Sequence, residues 1–205
     1  MVIEQCNACG LIQINNPVPS AELLPHYDWI TYTEPEEHLD QLVEIISNLP
    51  GLTRESIICG ISFKDDSTLA RLKKLGFKNT WRINSKSDLG ISDYRARVET
   101  IQDCLTPEAA NMIVNKRGTS DVVIVRHILE HAHDTFRFTR AIKQLVNPKG
   151  YIVLEVPDCT RALENYDYTT LWEEHLLYFT PETFRRYFVF GGFSPESLSG
   201  RILDC

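Results

Sequence analysis

The sequence predicts an α/β fold in which a mostly parallel sheet carries helices on both faces. Two short apolar runs rich in β-branched residues, 122–125 and 152–156, are typical of strands buried on both faces of such a sheet. Between them, residues 135–146 have a helical pattern that ends at Asn147-Pro148. This order predicts a right-handed β-α-β unit. Titratable side chains follow both runs, so we expect a ligand at the carboxyl ends of the strands.

The rest of the chain continues the alternation of helices and strands. Thr106 and Thr180 each precede a proline, which is the pattern of a capped helix start. Together with these two starts, the pattern predicts helices at about 34–47, 68–75, 106–116 and 180–190. It predicts strands at 54–60, 79–84 and 95–101. A late strand begins near Ser197. The expected sheet therefore has five parallel strands and one late strand, in a domain of residues 34–205 that follows a small segment, residues 1–33.

Composition limits the function classes. A chain of 205 residues can bury a full core, and a net charge of -7 argues against a nucleic-acid partner. No apolar run approaches the roughly 20 residues of a membrane span, and the N-terminus has no signal-peptide pattern. The 6 cysteines are scattered apart from one close pair, which favours a reduced, cytoplasmic protein. We therefore expect a small-molecule ligand; whether the chain forms a homo-oligomer is left open.

Cys6 and Cys9 form a C-x-x-C-G knuckle, a spacing that allows two thiolates to bind one tetrahedral zinc ion. A structural zinc site needs four ligands, and His26 is the nearest further candidate. The site is therefore incomplete, and a metal-free half-site or a redox pair is an equal alternative.

Two further stretches lie near the predicted site. Residues 24–33 are dense in aromatics, including Tyr27 and Tyr32, and form either core packing or a lid over a ligand pocket. Gly60 follows the first predicted strand of the sheet and precedes a helix, which is a nucleotide-binding arrangement. Because the loop holds one glycine, this motif alone is weak.

Four stretches together carry a resemblance to a known family. They are Cys6 to Gln13, Tyr27 to His38, the pair Arg126-His-Ile-Leu-Glu-His131 and Pro148 to Pro157, and Trp172-Glu-Glu-His-Leu-Leu-Tyr-Phe-Thr180. The chain resembles class I S-adenosylmethionine-dependent methyltransferases with a Rossmann-like fold. More narrowly, it is similar to sugar C-methyltransferases that carry an N-terminal zinc-binding segment.

The resemblance implies a cofactor, a reaction and a substrate class. The cofactor would be S-adenosylmethionine, bound by Gly60, Ser62, Asn84, Ser85, Asp103, Arg126 and His127. The reaction would be C-methylation of a nucleotide-linked keto sugar or a related small molecule. Zinc would bind Cys6 and Cys9, with the other ligands supplied from outside this chain.

The chain departs from the family pattern in four places. The first cysteine pair is missing, and the glycine-rich loop is reduced to Gly60, without the usual glutamate before it. Asn84 stands where an acid is expected, and the last antiparallel strand is lacking. The depleted loop at Gly60 favours an alternative, a degenerate methyltransferase-like binding module. An O- or N-methyltransferase acting on a small molecule is a third reading.

C-methylation next to a carbonyl requires a base that removes a proton from carbon. We expect His175 to be this base, with Glu174 orienting its ring and His131 stabilising the developing oxyanion. Tyr27, Tyr32 and Tyr178 would supply hydroxyls to the substrate. The alternative is that His175 is a packing histidine and Glu174 is solvated.

Overall fold

The computed structural model describes residues 1–24 and 35–193, which form two sheets and eight helices. The strands are β1 (Val2–Gln5), β2 (Ile12–Asn15), β3 (Ile57–Gly60), β4 (Asn79–Arg82), β5 (Ser120–Arg126), β6 (Val146–Glu155) and β7 (Leu177–Tyr178). The helices are α1 (His38–Ser47), α2 (Asp66–Lys74), α3 (Ser85–Leu89), α4 (Val98–Cys104), α5 (Pro107–Arg117), α6 (Thr135–Leu145), α7 (Thr160–Glu164) and α8 (Pro181–Phe190). None of these helices is long and apolar enough to cross a membrane.

The main sheet is parallel, with the strand order β4-β3-β5-β6. Successive side chains of β5 point to opposite faces of this sheet. Val122 and Ile124 pack in one apolar cluster with side chains of α1 and α2, whereas Val123 and Val125 pack in another with side chains of α5 and α6. The continuous apolar run of β5 therefore contributes to two cores, and the predicted α/β fold with a parallel β5–β6 pair is confirmed.

A second, antiparallel sheet of order β1-β2-β7 was not predicted from the sequence. Its central strand, β2, pairs with β7 through Ile12 opposite Tyr178 and Gln13 opposite Leu177. Because β7 directly follows the stretch that contains His175, this sheet attaches the N-terminal segment to that stretch.

One predicted strand is wrong. Residues 95–101 do not extend the sheet, because the chain forms helix α4 from Val98 to Cys104. Val98, Ile101 and Leu105 are buried at spacings of three and four, which is the period of a helix face. The described part of the main sheet therefore has four strands. The expected late strand from Ser197 lies outside the described residues.

Two predicted helix starts are confirmed. The hydroxyl groups of Thr106 and Thr180 accept hydrogen bonds from the backbone of Ala109 and Thr183, and a proline occupies the first helical position in each case.

A buried ion pair joins β5 to β6 at the carboxyl edge of the sheet. Arg126 is 2% exposed, and its Nε lies 2.8 Å from Glu155 Oε2. Glu155 Oε1 also lies 2.8 Å from His127 Nε2 and 3.0 Å from His38 Nε2. Although burial opposes ionisation of Glu155, its hydrogen bonds with His127 and Arg126 lower its pKa. The carboxylate is therefore the common partner of three basic side chains.

Glu155→Gln should destabilise the fold. The substitution leaves the buried Arg126 guanidinium without its anion, which typically costs about 3–5 kcal/mol. Urea denaturation measures the loss, with Glu164→Gln on the exposed surface of α7 as the matched control. A loss no larger than that of the control would contradict a central role for Glu155.

Candidate functional site

The backbone turns sharply where β5 ends. His127 has a φ of 49°, a left-handed conformation that few non-glycine residues adopt. This turn leads into a short 3-10 helix, Leu129–His131, which buries the side chains of Glu130 and His131. Strained backbone of this kind clusters at functional sites in proteins, so the turn draws attention to the residues that follow it.

His175 lies against His131. Their ring centroids are 4.7 Å apart with an interplanar angle of 84°, an edge-to-face contact. The Trp172 indole stacks on the His175 ring, with centroids 5.6 Å apart and an interplanar angle of 28°. A backbone hydrogen bond of 2.8 Å from Leu176 N to Glu130 O holds the two segments together. The structure thus brings together two of the predicted catalytic residues, His131 and His175.

Tyr178 supports the loop that presents His175. Its side chain is buried, and its hydroxyl accepts a hydrogen bond of 3.1 Å from Trp172 N and donates one of 3.3 Å to Trp172 O. The hydroxyl that the sequence suggested for substrate binding is therefore bonded to the protein backbone. Tyr27 and Tyr32 lie outside the described residues.

Carboxylates surround His131. Its Nδ1 lies 3.2 Å from Glu99 Oε1, although the direction is not that of a hydrogen bond. Burial lowers the pKa of His131 to about 4, so the ring is neutral at neutral pH. Burial, with a contribution from the charge of Glu174, raises the pKa of Glu99. The charge of Glu174 therefore acts on the carboxyl group of Glu99.

The loop after β3 is closed by its own chain. Asp65 accepts hydrogen bonds from the backbone N–H groups of Ile61 at 2.7 Å, Ser62 at 2.9 Å and Arg126 at 3.1 Å. A Cβ on Gly60 would lie 2.8 Å from Asp65 Cβ, so Gly60 is required for this close approach. Burial raises the pKa of Asp65 to about 7. The Asp65 side chain therefore occupies the space beside Gly60.

The other residues predicted to bind the cofactor also have partners within the chain. The Ser62 hydroxyl accepts from Lys64 N, and the Asn84 side chain caps α3, in which Ser85 is the first residue. Asp103 accepts a hydrogen bond from the Ser20 hydroxyl on the surface. Arg126 and His127 contact Glu155.

Cys6 and Cys9 lie in the tight turn between β1 and β2, near the N-terminus. Gly10 N donates to Cys6 O, and Cys6 N donates to Leu11 O, both at 2.8 Å. Backbone N–H groups of Cys9 and Ala8 lower the pKa of Cys6. Within residues 1–24 and 35–193, no third histidine, cysteine or acid joins this pair. His26 is outside those ranges, so zinc binding here stays a prediction.

Sequence reasoning did not select three acids of this region as site residues. Glu99 was placed on a strand that is in fact helix α4, and Asp65 was read only as part of a loop. Glu130 directly precedes His131. Its position just after the end of β5, where a ligand was expected, was the signal that could have identified it as a site residue.

Comparison with known proteins agrees with this architecture. The protein family described as "Methyltransferase domain" matches residues 59–198. The C-methyltransferase NovU of Streptomyces niveus is 23% identical over 177 residues, which are 85% of this chain and 42% of NovU. The chain thus spans less than half the length of this curated relative.

His131 should make the free energy of unfolding depend on pH. Its pKa is about 4 in the folded chain against an ordinary 6.5, so the unfolded state binds more protons between these values and stability rises with pH there. Relative to His131→Gln, the wild type should gain at most about 1.4 kcal/mol per pH unit across this window, with no further gain above it. Urea denaturation of both proteins at several pH values measures the difference. A difference that does not change with pH would contradict a buried neutral ring.

Proposed function

We propose that this chain, which belongs to the methyltransferase domain family, is an S-adenosylmethionine-dependent methyltransferase that acts on a carbon atom next to a carbonyl group. The acceptor class we propose is a nucleotide-linked keto sugar or a related small molecule. The name of the C-methyltransferase NovU supports transfer to carbon. The observation on which the proposal depends is the contact between His131 and His175 at the carboxyl edge of the sheet.

In this proposal His175 is the base. It is half-buried, so the side chain is not closed off from solvent, and Trp172 fixes the plane of the ring by stacking. A neutral imidazole has one unprotonated nitrogen, which can take a proton from the carbon next to the carbonyl. The electrons of the broken C–H bond then form an enolate, whose carbon is the nucleophile that C-methylation requires.

His131 would stabilise the enolate oxygen. Because burial keeps this ring neutral, one of its nitrogens carries a hydrogen that can be donated to a developing negative charge. Glu99 Oε1 lies 3.2 Å from His131 Nδ1, so Glu99 biases the environment of His131. The role proposed for Glu174, orienting the ring of His175, stays a prediction. The mechanism thus separates a base, His175, from a hydrogen-bond donor, His131.

Family membership implies S-adenosylmethionine, which supplies the methyl group when it is bound. The loop after β3 does not fit this cofactor in the arrangement described. The amides of Ile61 and Ser62 already bind the carboxylate of Asp65, and the space beside Gly60 holds the Asp65 side chain. Binding the cofactor at this loop requires that Asp65 leave these amides.

That same observation favours a second candidate function. A methyltransferase-like module that binds a small molecule without methyl transfer has no need of an open loop after β3. The fully buried Asp65 and its three backbone hydrogen bonds support this alternative.

His175→Ala should separate catalysis from folding. Loss of a positioned base lowers turnover by roughly 10²–10⁴-fold, whereas a half-buried histidine contributes little to the core. Exchange of the acceptor C–H with solvent deuterium, followed by NMR, should fall in parallel. Glu173→Gln, at the exposed position two residues earlier, is the control and should exchange at the wild-type rate. Near-normal exchange in His175→Ala would assign the base elsewhere, with His131 as the next candidate.

Calorimetry with S-adenosylmethionine distinguishes the two candidate functions. We expect the wild type to bind and Asp65→Ala to bind about tenfold more tightly, because the variant exposes the amides of Ile61 and Ser62 at the cost of one charged hydrogen-bond partner. Asp66→Ala, the neighbouring acid that pairs with Arg82, is the control. If neither folded protein releases heat at millimolar cofactor, the second candidate stands.

A further inference from the structure

Glu130, His131 and His175 form a compact group of metal-binding side chains. One ligand atom of each lies within 4.8 Å of those of the other two. Glu130 and His131 come from the turn after β5, and His175 comes from the loop before β7. The backbone hydrogen bond from Leu176 N to Glu130 O fixes the two segments relative to each other. The group is therefore supported by two elements that are themselves held by sheets.

Two polar atoms of this group are buried without a partner. Among the residues that the structure describes, neither Glu130 Oε2 nor His131 Nδ1 has a hydrogen bond. Glu130 is 2% exposed and His131 is 5% exposed, so solvent does not compensate for the missing bonds. A buried polar atom without a partner is unfavourable, and a cation beside it would remove this cost.

The donor set indicates the class of ion. Two imidazoles and one carboxylate suit zinc and other divalent transition metals, whereas magnesium and calcium prefer sites made entirely of oxygen ligands. Three protein ligands leave a fourth position open for water or another ligand. We propose that Glu130, His131 and His175 form a binding site for a divalent transition metal ion of the zinc class.

Metal binding at this site should inhibit the reaction, a consequence that rests on the proposed function. A neutral imidazole has one lone pair on its ring nitrogens. If His175 gives this pair to a metal ion, its other nitrogen carries a hydrogen and cannot accept a proton. The ion would therefore compete directly with the carbon acid for the base.

Metal binding can be measured without reference to activity. The measurement uses the full chain with Cys6→Ser and Cys9→Ser, so that the two predicted zinc-binding thiolates cannot compete for the ion. This protein is first treated with EDTA to remove any bound metal. Addition of CoCl₂ should produce d–d absorption bands that saturate at about one equivalent, and ZnCl₂ should release heat in calorimetry. Glu130→Gln should weaken binding by at least about 10–100-fold, whereas Glu173→Gln should have no effect. Because Glu130 is buried, circular dichroism checks that its variant is folded, and His175→Gln, at a half-buried position, is a second ligand variant.

Each result decides one part of the proposal. If cobalt produces no d–d bands and ZnCl₂ releases no heat, the proposed site is overturned. It is also overturned if Glu130→Gln and His175→Gln bind the metal as tightly as Glu173→Gln does. Binding that both ligand variants weaken supports the site. Zinc that binds without slowing solvent exchange of the acceptor overturns inhibition but leaves the site standing. If no exchange occurs even in EDTA while the metal still binds, the proposed function fails and the metal site does not.

Discussion

The buried pairing of Arg126 with Glu155 is the interaction on which the carboxyl edge of the sheet depends. An uncompensated guanidinium in this position would be strongly unfavourable, so the ends of β5 and β6 must stay in register for the two charges to meet. Glu155 extends the pairing to His127 and to His38 at the start of α1. Asp65 extends it to the end of β3, because its carboxylate accepts hydrogen bonds from the backbone of both Arg126 and Ile61. The carboxyl ends of three strands and the start of one helix thus meet in a single polar network.

The reacting groups of the proposed function lie directly beyond this network. The His127 side chain contacts Glu155 within the network, and its left-handed backbone redirects the chain. Glu130 and His131 follow in the turn, and the small antiparallel sheet brings His175 against them through β7. Through Asp65 the same network also fills the loop after β3, where the sequence predicts cofactor binding. The contacts that order the residues proposed for catalysis therefore also restrict the predicted cofactor loop. The structure is therefore compatible both with a methyltransferase, if Asp65 leaves the loop, and with a module that binds a small molecule without transferring a methyl group.

The sequence predicted the fold where its periodicity was unambiguous. The β-branched runs of β5 and β6 and the threonine–proline starts of α5 and α8 are local signals that tertiary contacts did not change. Residues 95–101 were misread because Val98 and Ile101 have helical spacing in a stretch too short to show its period clearly. The small sheet was missed because β7 has two residues and its partner strand lies far away in sequence.

The candidate site was predictable only in part. His131 and His175 follow predicted strand ends, and their positions alone indicated an edge of the sheet. No pattern in the sequence shows that Glu99 would face His131 or that Asp65 would turn back onto Ile61 and Ser62, since both arrangements depend on packing between distant segments. The single glycine of the loop after β3 did indicate a departure from the usual cofactor-binding pattern. It did not indicate that the side chain of Asp65 would fill this loop.

Residue-resolved amide hydrogen exchange of the ligand-free chain tests the central claim most directly. If Asp65 closes the carboxyl edge of the sheet, the amides of Ser62 and Arg126 should exchange slowly, with protection approaching that of the core of β5. Exchange of these two amides at the rate of an exposed loop would contradict the account, because the carboxylate would then not be bound to them in solution.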